Sequence, residues 1–204
     1  MDRTEQIFNI VKNSAHKLFE QIQGLIEEHC NRNSGNIAAE LVTVFRKAFL
    51  QAAHLQRNQL KGAIRYLVLS HLASSILEGR YLVKLDIYDY RCYADTEEID
   101  AYLALDWLYG FLSEDMNRIR KELISQRIMH PSVCELEQIR YRYVYYYHAV
   151  ALKLISKSIP ALLELPEFLA LNIDTGLEVF FGGYMDKVVA VWPEMEGDNE
   201  VFPY

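Results

Sequence analysis

The chain has no run of about eighteen apolar residues with which to cross a bilayer. Its first residues, Met1-Asp2-Arg3-Thr4-Glu5-Gln6, lack the charged-then-apolar pattern of a secretory leader. Both absences predict a soluble, cytoplasmic protein with no membrane partner. Cysteine is scarce: Cys30, Cys92 and Cys134 are widely spaced and none belongs to a Cys-x-x-Cys pair. This excludes a disulfide framework and a zinc knuckle, and predicts reduced, buried thiols. Positive charge is the minority sign, 21 Lys and Arg against 28 Asp and Glu, for a net charge of -7. A broad nucleic-acid surface is therefore disfavoured. None of the 6 histidines follows a glutamate by three or four residues, and no His-x-x-x-His pair occurs. The helical di-iron pattern and the common zinc pair are thus missing. There is neither a Gly-x-Ser-x-Gly elbow nor a glycine-rich phosphate loop, since Gly182-Gly183 is an isolated pair. No catalytic residue, metal ligand or cofactor is predicted.

What is present is apolar substance. Hydrophobic residues make up 51% of the chain, enough for a large core without disulfides or metals. Asp2 and Glu5 have capping-box spacing. After them Phe8, Val11, Ala15, Leu18, Ile22, Leu25 and His29 recur at alternating three- and four-residue intervals, a heptad-like helical seam. Asparagine, serine and glycine over residues 31–36 predict a loop with Ser34 or Asn36 as the next cap. Ile37, Leu41, Val44, Phe45, Ala48, Ala52 and Leu55 then form a second apolar face. The polar stretch 56–61 predicts a break.

Residues 63–77 are apolar around most of a helical circumference, which predicts a central, covered helix. Past Gly79 the period changes. Tyr81, Val83, Leu85 and Ile87 alternate with Leu82, Lys84 and Asp86, as in a short strand or extended arm. A lone strand is not stable, so it needs a partner, for which residues 177–181 or another subunit are candidates. Asp95 or Thr96 caps a predicted helix over 96–127. His130-Pro131 turns the chain, and Ser132 with Glu135 opens a second helix over 132–158 through another capping box. Beyond Pro160 the elements should be shorter, although Leu177, Phe180, Phe181, Tyr184, Val188 and Val191 keep helical spacing. The acidic stretch from Glu194 begins a tail predicted to be mobile over 194–204. These readings combine into one all-α domain over 1–204. It is a mainly antiparallel bundle of about five to seven helices, with helices over 1–79, an extended or β insertion near 81–94 within an arm over 80–95, a helical hairpin over 96–158, and shorter elements over 159–193.

The strongest candidate site is the run Arg140-Tyr141-Arg142-Tyr143-Val144-Tyr145-Tyr146-Tyr147-His148. In a hairpin, Arg118, Arg120 and Lys121 fall level with Arg140 and Arg142, beside Tyr141, Tyr145 and His148. Such a cationic, aromatic patch suits an anionic small ligand such as a phosphate or carboxylate, or an acidic peptide. The plainer alternative pairs these cations with Glu114, Asp115, Glu122, Glu135 and Glu137, and leaves the tyrosines in the core with hydroxyls tied to the backbone. A second group, Asp86, Asp89, Asp95, Glu97, Glu98 and Asp100, has the oxygen chemistry to hold a hard cation, although helix capping accounts for half of it.

Three functions follow in order. The first is a non-enzymatic interaction or regulatory module, self-associating through the amino-terminal seam, the extended arm or the apolar carboxy-terminal region. The second is a sensor binding an anionic small ligand through the Tyr/Arg patch. The third is a metal-dependent phosphohydrolase using the acidic group.

Overall fold

The computed structural model describes residues 2–128 and 130–193. The predicted tail over 194–204 lies outside them. Chain contacts divide the described residues into two units, the first holding 2–34 and 106–151, the second 35–105 and 152–193. The fold is mixed α and β, not an all-α helical bundle.

The first unit is built from α1 (Arg3–Arg32), α4 (Asp106–Ser125) and the amino-terminal part of α5 (Val133–Leu162). The α1 seam exists, but its buried edge runs through Ile7, Ala15, Ile22 and Ile26, leaving Phe8 and Leu25 half exposed. The reason is the period. A straight helix repeats every 3.6 residues and drifts off a strict heptad. Asp2 makes no side-chain cap bond, whereas the second capping box forms in both directions. The Ser132 amide donates to Glu135 Oε2 at 2.7 Å, and the Glu135 amide to Ser132 Oγ at 3.2 Å. Arg3 donates to Glu135 Oε1 at 2.7 Å. Together with Ser132 it holds that carboxyl down to about 2. The loop predicted over 31–36 contracts to Asn33, which separates α1 from α2 (Ser34–Arg57).

The second unit carries a five-stranded sheet in the order β3-β2-β1-β4-β5, formed by β1 (Ile64–His71), β2 (Leu82–Asp89), β3 (Tyr102–Ala104), β4 (Ile173–Gly183) and β5 (Val188–Trp192). β1 pairs antiparallel with β2 and parallel with β4. This overturns the central helix predicted over 63–77, of which only α3 (Ala73–Glu78) is helical. The cause is β1's central place. Leu67, Val68, Leu69 and Ser70 are all buried, so both faces of the strand are covered, and such a strand reads as a near-continuous run without clear alternation. The predicted extended segment at 81–87 is β2. Its direct partners are β1 and β3, and the 177–181 stretch lies one strand further on, in β4. The helical spacing over 177–191 is overturned as well: alternating burial of Leu177, Val179 and Phe181 marks β4. The helix predicted from Thr96 begins at Asp106, because Leu103 and its neighbours close the edge of the sheet as β3.

One sheet face sets Leu67, Leu69, Leu85, Ile87, Val179 and Phe181 in register and is apolar up to its end, where His71 stands opposite Val83. In the same unit α2 buries Phe45, Ala48, Phe49 and Ala52, and Phe49 packs on Phe168 of α6 (Pro166–Leu169) at 5.1 Å between ring centres. Polar residues end α2 at Arg57, as the break at 56–61 requires. No helix of the described residues is long and apolar enough to cross a membrane.

Candidate functional site

In the first unit the tyrosine run divides by helical face. Tyr143 and Tyr147 are buried, and both donate to Asp115 Oδ2 of α4, at 2.6 and 2.9 Å. Their hydroxyls meet a side chain, not the backbone. Asp115 is fully buried, and burial pushes its carboxyl up while the two phenols pull it down. Burial beside that carboxylate pushes Tyr143 and Tyr147 upward. His148 is buried against the Tyr109 hydroxyl.

The proposed patch residues occupy several environments. Tyr141 is 44% exposed and sets its ring edge-on to half-buried Tyr145, which meets His148 in the same way, so these three do form a row. Arg142 leaves that row to lie over the Phe8 ring of α1, 5.0 Å from its centre. Arg118 stands 4.0 Å from Asp115 Oδ1, beyond hydrogen-bond distance. Arg120 and Lys121 are exposed, and Arg140 is half-buried.

The acidic group lies in the second unit and is divided between separate partners. Lys61 and Asp95 form an ion pair with both side chains fully buried, and Lys61 Nζ also donates to the Ile87 carbonyl at 3.0 Å. Asp95 Oδ2 accepts the Asp89 amide at 3.2 Å. Asp89 in turn takes the Gly62 amide at 3.0 Å and a two-pronged grip from Arg91, at 3.0 and 2.7 Å. Burial alone would raise Asp89, but the Arg91 guanidinium, the Arg91 amide at 2.9 Å and the Gly62 amide bring it down to about 2. Asp86 points to the other side of β2, as alternation requires, where it pairs with Lys84 at 2.9 Å. Among the described residues no group of three or more His, Cys, Asp or Glu side chains is placed to hold a metal ion. Cys30 and Cys92 are half-buried and Cys134 is exposed, so the thiols are less buried than their scarcity predicts.

The Lys84–Asp86 pair lies on the second face of the sheet, in register with Val68, Ser70 and Phe180. Tyr184, from the β4–β5 hairpin, places its ring 5.1 Å from the Lys84 ammonium, and Tyr88 packs edge-on to Tyr93 at 5.5 Å. Burial opposes the charge on Lys84, but Asp86 raises it above its ordinary value. Burial likewise raises Asp86 against the pull of Lys84.

The hairpin itself is tight. A Cβ on Gly182 would stand 2.2 Å from the Lys187 carbonyl oxygen, so only glycine fits. It delivers β5, the sequence Val-Val-Ala-Val-Trp, to the end of the sheet, where it pairs with β4 through Val188, Val189, Ala190 and Trp192. All five residues of β5 are half-buried and none is charged. A terminal strand has one row of backbone N–H and C=O groups pointing away from its neighbour, a template for another strand. The other edge, β3, has only 3 residues. The carboxy-terminal apolar region reads as helix in the sequence because Val188 and Val191 fall at helical spacing, while apolar residues on both faces of β5 leave no alternation to reveal the strand.

Comparison with models of known protein families, with curated proteins and with solved structures finds no match.

Proposed function

We propose that the protein is a non-enzymatic interaction module that self-associates by strand addition at β5. The observation that carries this reading is a terminal strand of five uncharged, half-buried residues joined to its sheet through β4 alone among the described strands. Natural edge strands are usually short, charged or interrupted by proline within the strand, which prevents pairing with other chains. β5 has none of these protections between Val188 and Trp192. Two copies related by a two-fold axis can place their β5 strands antiparallel, joining two five-stranded sheets through main-chain bonds. No like charges then stand opposite each other. Pairing through β3 has less strand to use, and pairing of β3 with β5 of another copy would propagate head to tail. In the interior, the perturbed carboxylates Asp89 and Asp115 are engaged by arginine and tyrosine, which favours a structural role for both.

A five-residue strand pair buries less than a standard interface, so a dissociation constant on the order of 10 µM is expected. Sedimentation velocity across that range should show a monomer and dimer in exchange. Ala190→Lys and Ala190→Glu should each be monomeric, and an equimolar mixture should recover the dimer, because opposite charges then meet across the junction. A protein that stays monomeric at about 200 µM, roughly twenty times that constant, or a dimer indifferent to both substitutions, would refute the reading.

A further inference from the structure

A different part of the second unit carries a separate site. From Leu41 to Arg57, α2 contains Arg46, Lys47, His54 and Arg57 and no acid, in a chain whose net charge is -7. Thr43, Lys47, Leu50 and His54 follow one another at four, three and four residues, so they form one stripe along the helix. That stripe lines a groove of about 570 Å³, with Leu55 and Gln51 in its wall and Glu98 across from it. The groove has an apolar anchor point. Leu50 is 54% exposed, well above its neighbours Ala48, Phe49 and Ala52, which are fully buried. Its cations are held loosely. Lys47 stands 3.5 Å from Asp100 with both side chains largely in water, an ion pair weak enough to be exchanged. Arg46 bonds Glu167 yet keeps about half its side chain exposed.

We infer that this groove binds an acidic peptide segment of another protein, with one apolar side chain seated on Leu50 and carboxylates reaching Lys47, Arg46 and His54. Charge complementarity selects the sign of the partner. The apolar wall selects a peptide over a nucleic acid, since a protein held by phosphates spends about six to ten cationic contacts on them, against Arg46 and Lys47 here.

The test uses the full chain and a panel of fluorescein-labelled peptides of about nine residues, each with a central leucine and acids moved around it, read by anisotropy. At least one member should bind in the micromolar range, and raising the salt should weaken it. Leu50→Asp and Lys47→Glu, both at exposed positions, should each lower affinity at least tenfold with unchanged circular dichroism and melting temperature. A lysine-flanked version of the peptide should not bind wild type and should gain affinity for Lys47→Glu. The inference is overturned if no acidic peptide binds below millimolar concentration, if Leu50→Asp binds as well as wild type, or if a single-stranded oligonucleotide competes better than the peptides. Association through β5 is read separately by sedimentation, so either proposal can fail alone.

Discussion

Asp115 in the helical unit and Asp89 in the sheet unit are equally removed from water, at 0% and 1% exposure, yet their surroundings oppose each other. Asp115 is solvated by two phenols and has no cation within hydrogen-bond distance, so burial pushes its carboxyl up. Asp89 is gripped by Arg91 and two amides and is drawn down to about 2. Neutral donors can seat a lone carboxylate between two helices at the cost of a raised pKa. Only a cation with fixed amides makes burial favour the charged form.

The strongest way to break this contrast is to remove the sheet unit's buried cation. Lys61→Met leaves the buried Asp95 with Arg91, 3.5 Å away, as its remaining cation, and should cost about 3–5 kcal/mol in urea unfolding. Asp115→Ala comes next. It strands two buried tyrosine hydroxyls and opens a small void, for a loss of about 3 kcal/mol.

The pH dependence sharpens the comparison, because the two signs differ. A raised Asp115 binds its proton more tightly folded than unfolded, so its contribution is full at low pH and is lost as pH rises through the folded value. Asp115→Asn should remove that decline. A depressed Asp89 is the reverse, contributing above about 4 and losing it as pH falls toward about 2. Asp89→Asn should flatten that acid limb. Urea unfolding between pH 2 and 7 reads both, and identical effects of the two substitutions would contradict the assignment. His71 adds to the acid limb. Burial lowers it to about 4, so stability should fall as pH drops from about 6.5 toward 4, and His71→Gln should remove that part. The smallest expected effect is at the α5 cap, where Ser132→Ala should cost about 1 kcal/mol.

Much of the helical unit was legible in the sequence, since its signals are local. The Ser132 and Glu135 box, the turn at His130-Pro131 and the apolar stripe of α1 all depend on residues within one or two turns. The tyrosine run was also legible as a feature that must divide between core and surface. Its partner was not: Asp115 lies 28 residues from Tyr143, and nothing local distinguishes it from the solvated acids nearby. The sheet was legible only at β2, where Lys84 and Asp86 interrupt the apolar residues and reveal a period of two. β1 hid as a helix because it is buried on both faces. β4 and β5 hid because apolar residues on both faces of each strand mask the period of two, while Leu177, Phe180, Phe181, Tyr184, Val188 and Val191 happen to fall at helical intervals.

The order of amino acids alone therefore settled where α1 and α5 start, which residues are too apolar to stay in water, and that charge and histidine spacing offer no ready-made metal pattern. Tertiary structure decided which carboxylate receives the tyrosines, which acids meet Lys61 and Arg91, and that a valine-rich segment ends the sheet as an edge. The division has a physical reason. Helical hydrogen bonds close within four residues and are written locally, whereas a strand becomes a strand only when another, as far along the chain as Phe180 is from Val68, supplies its hydrogen bonds.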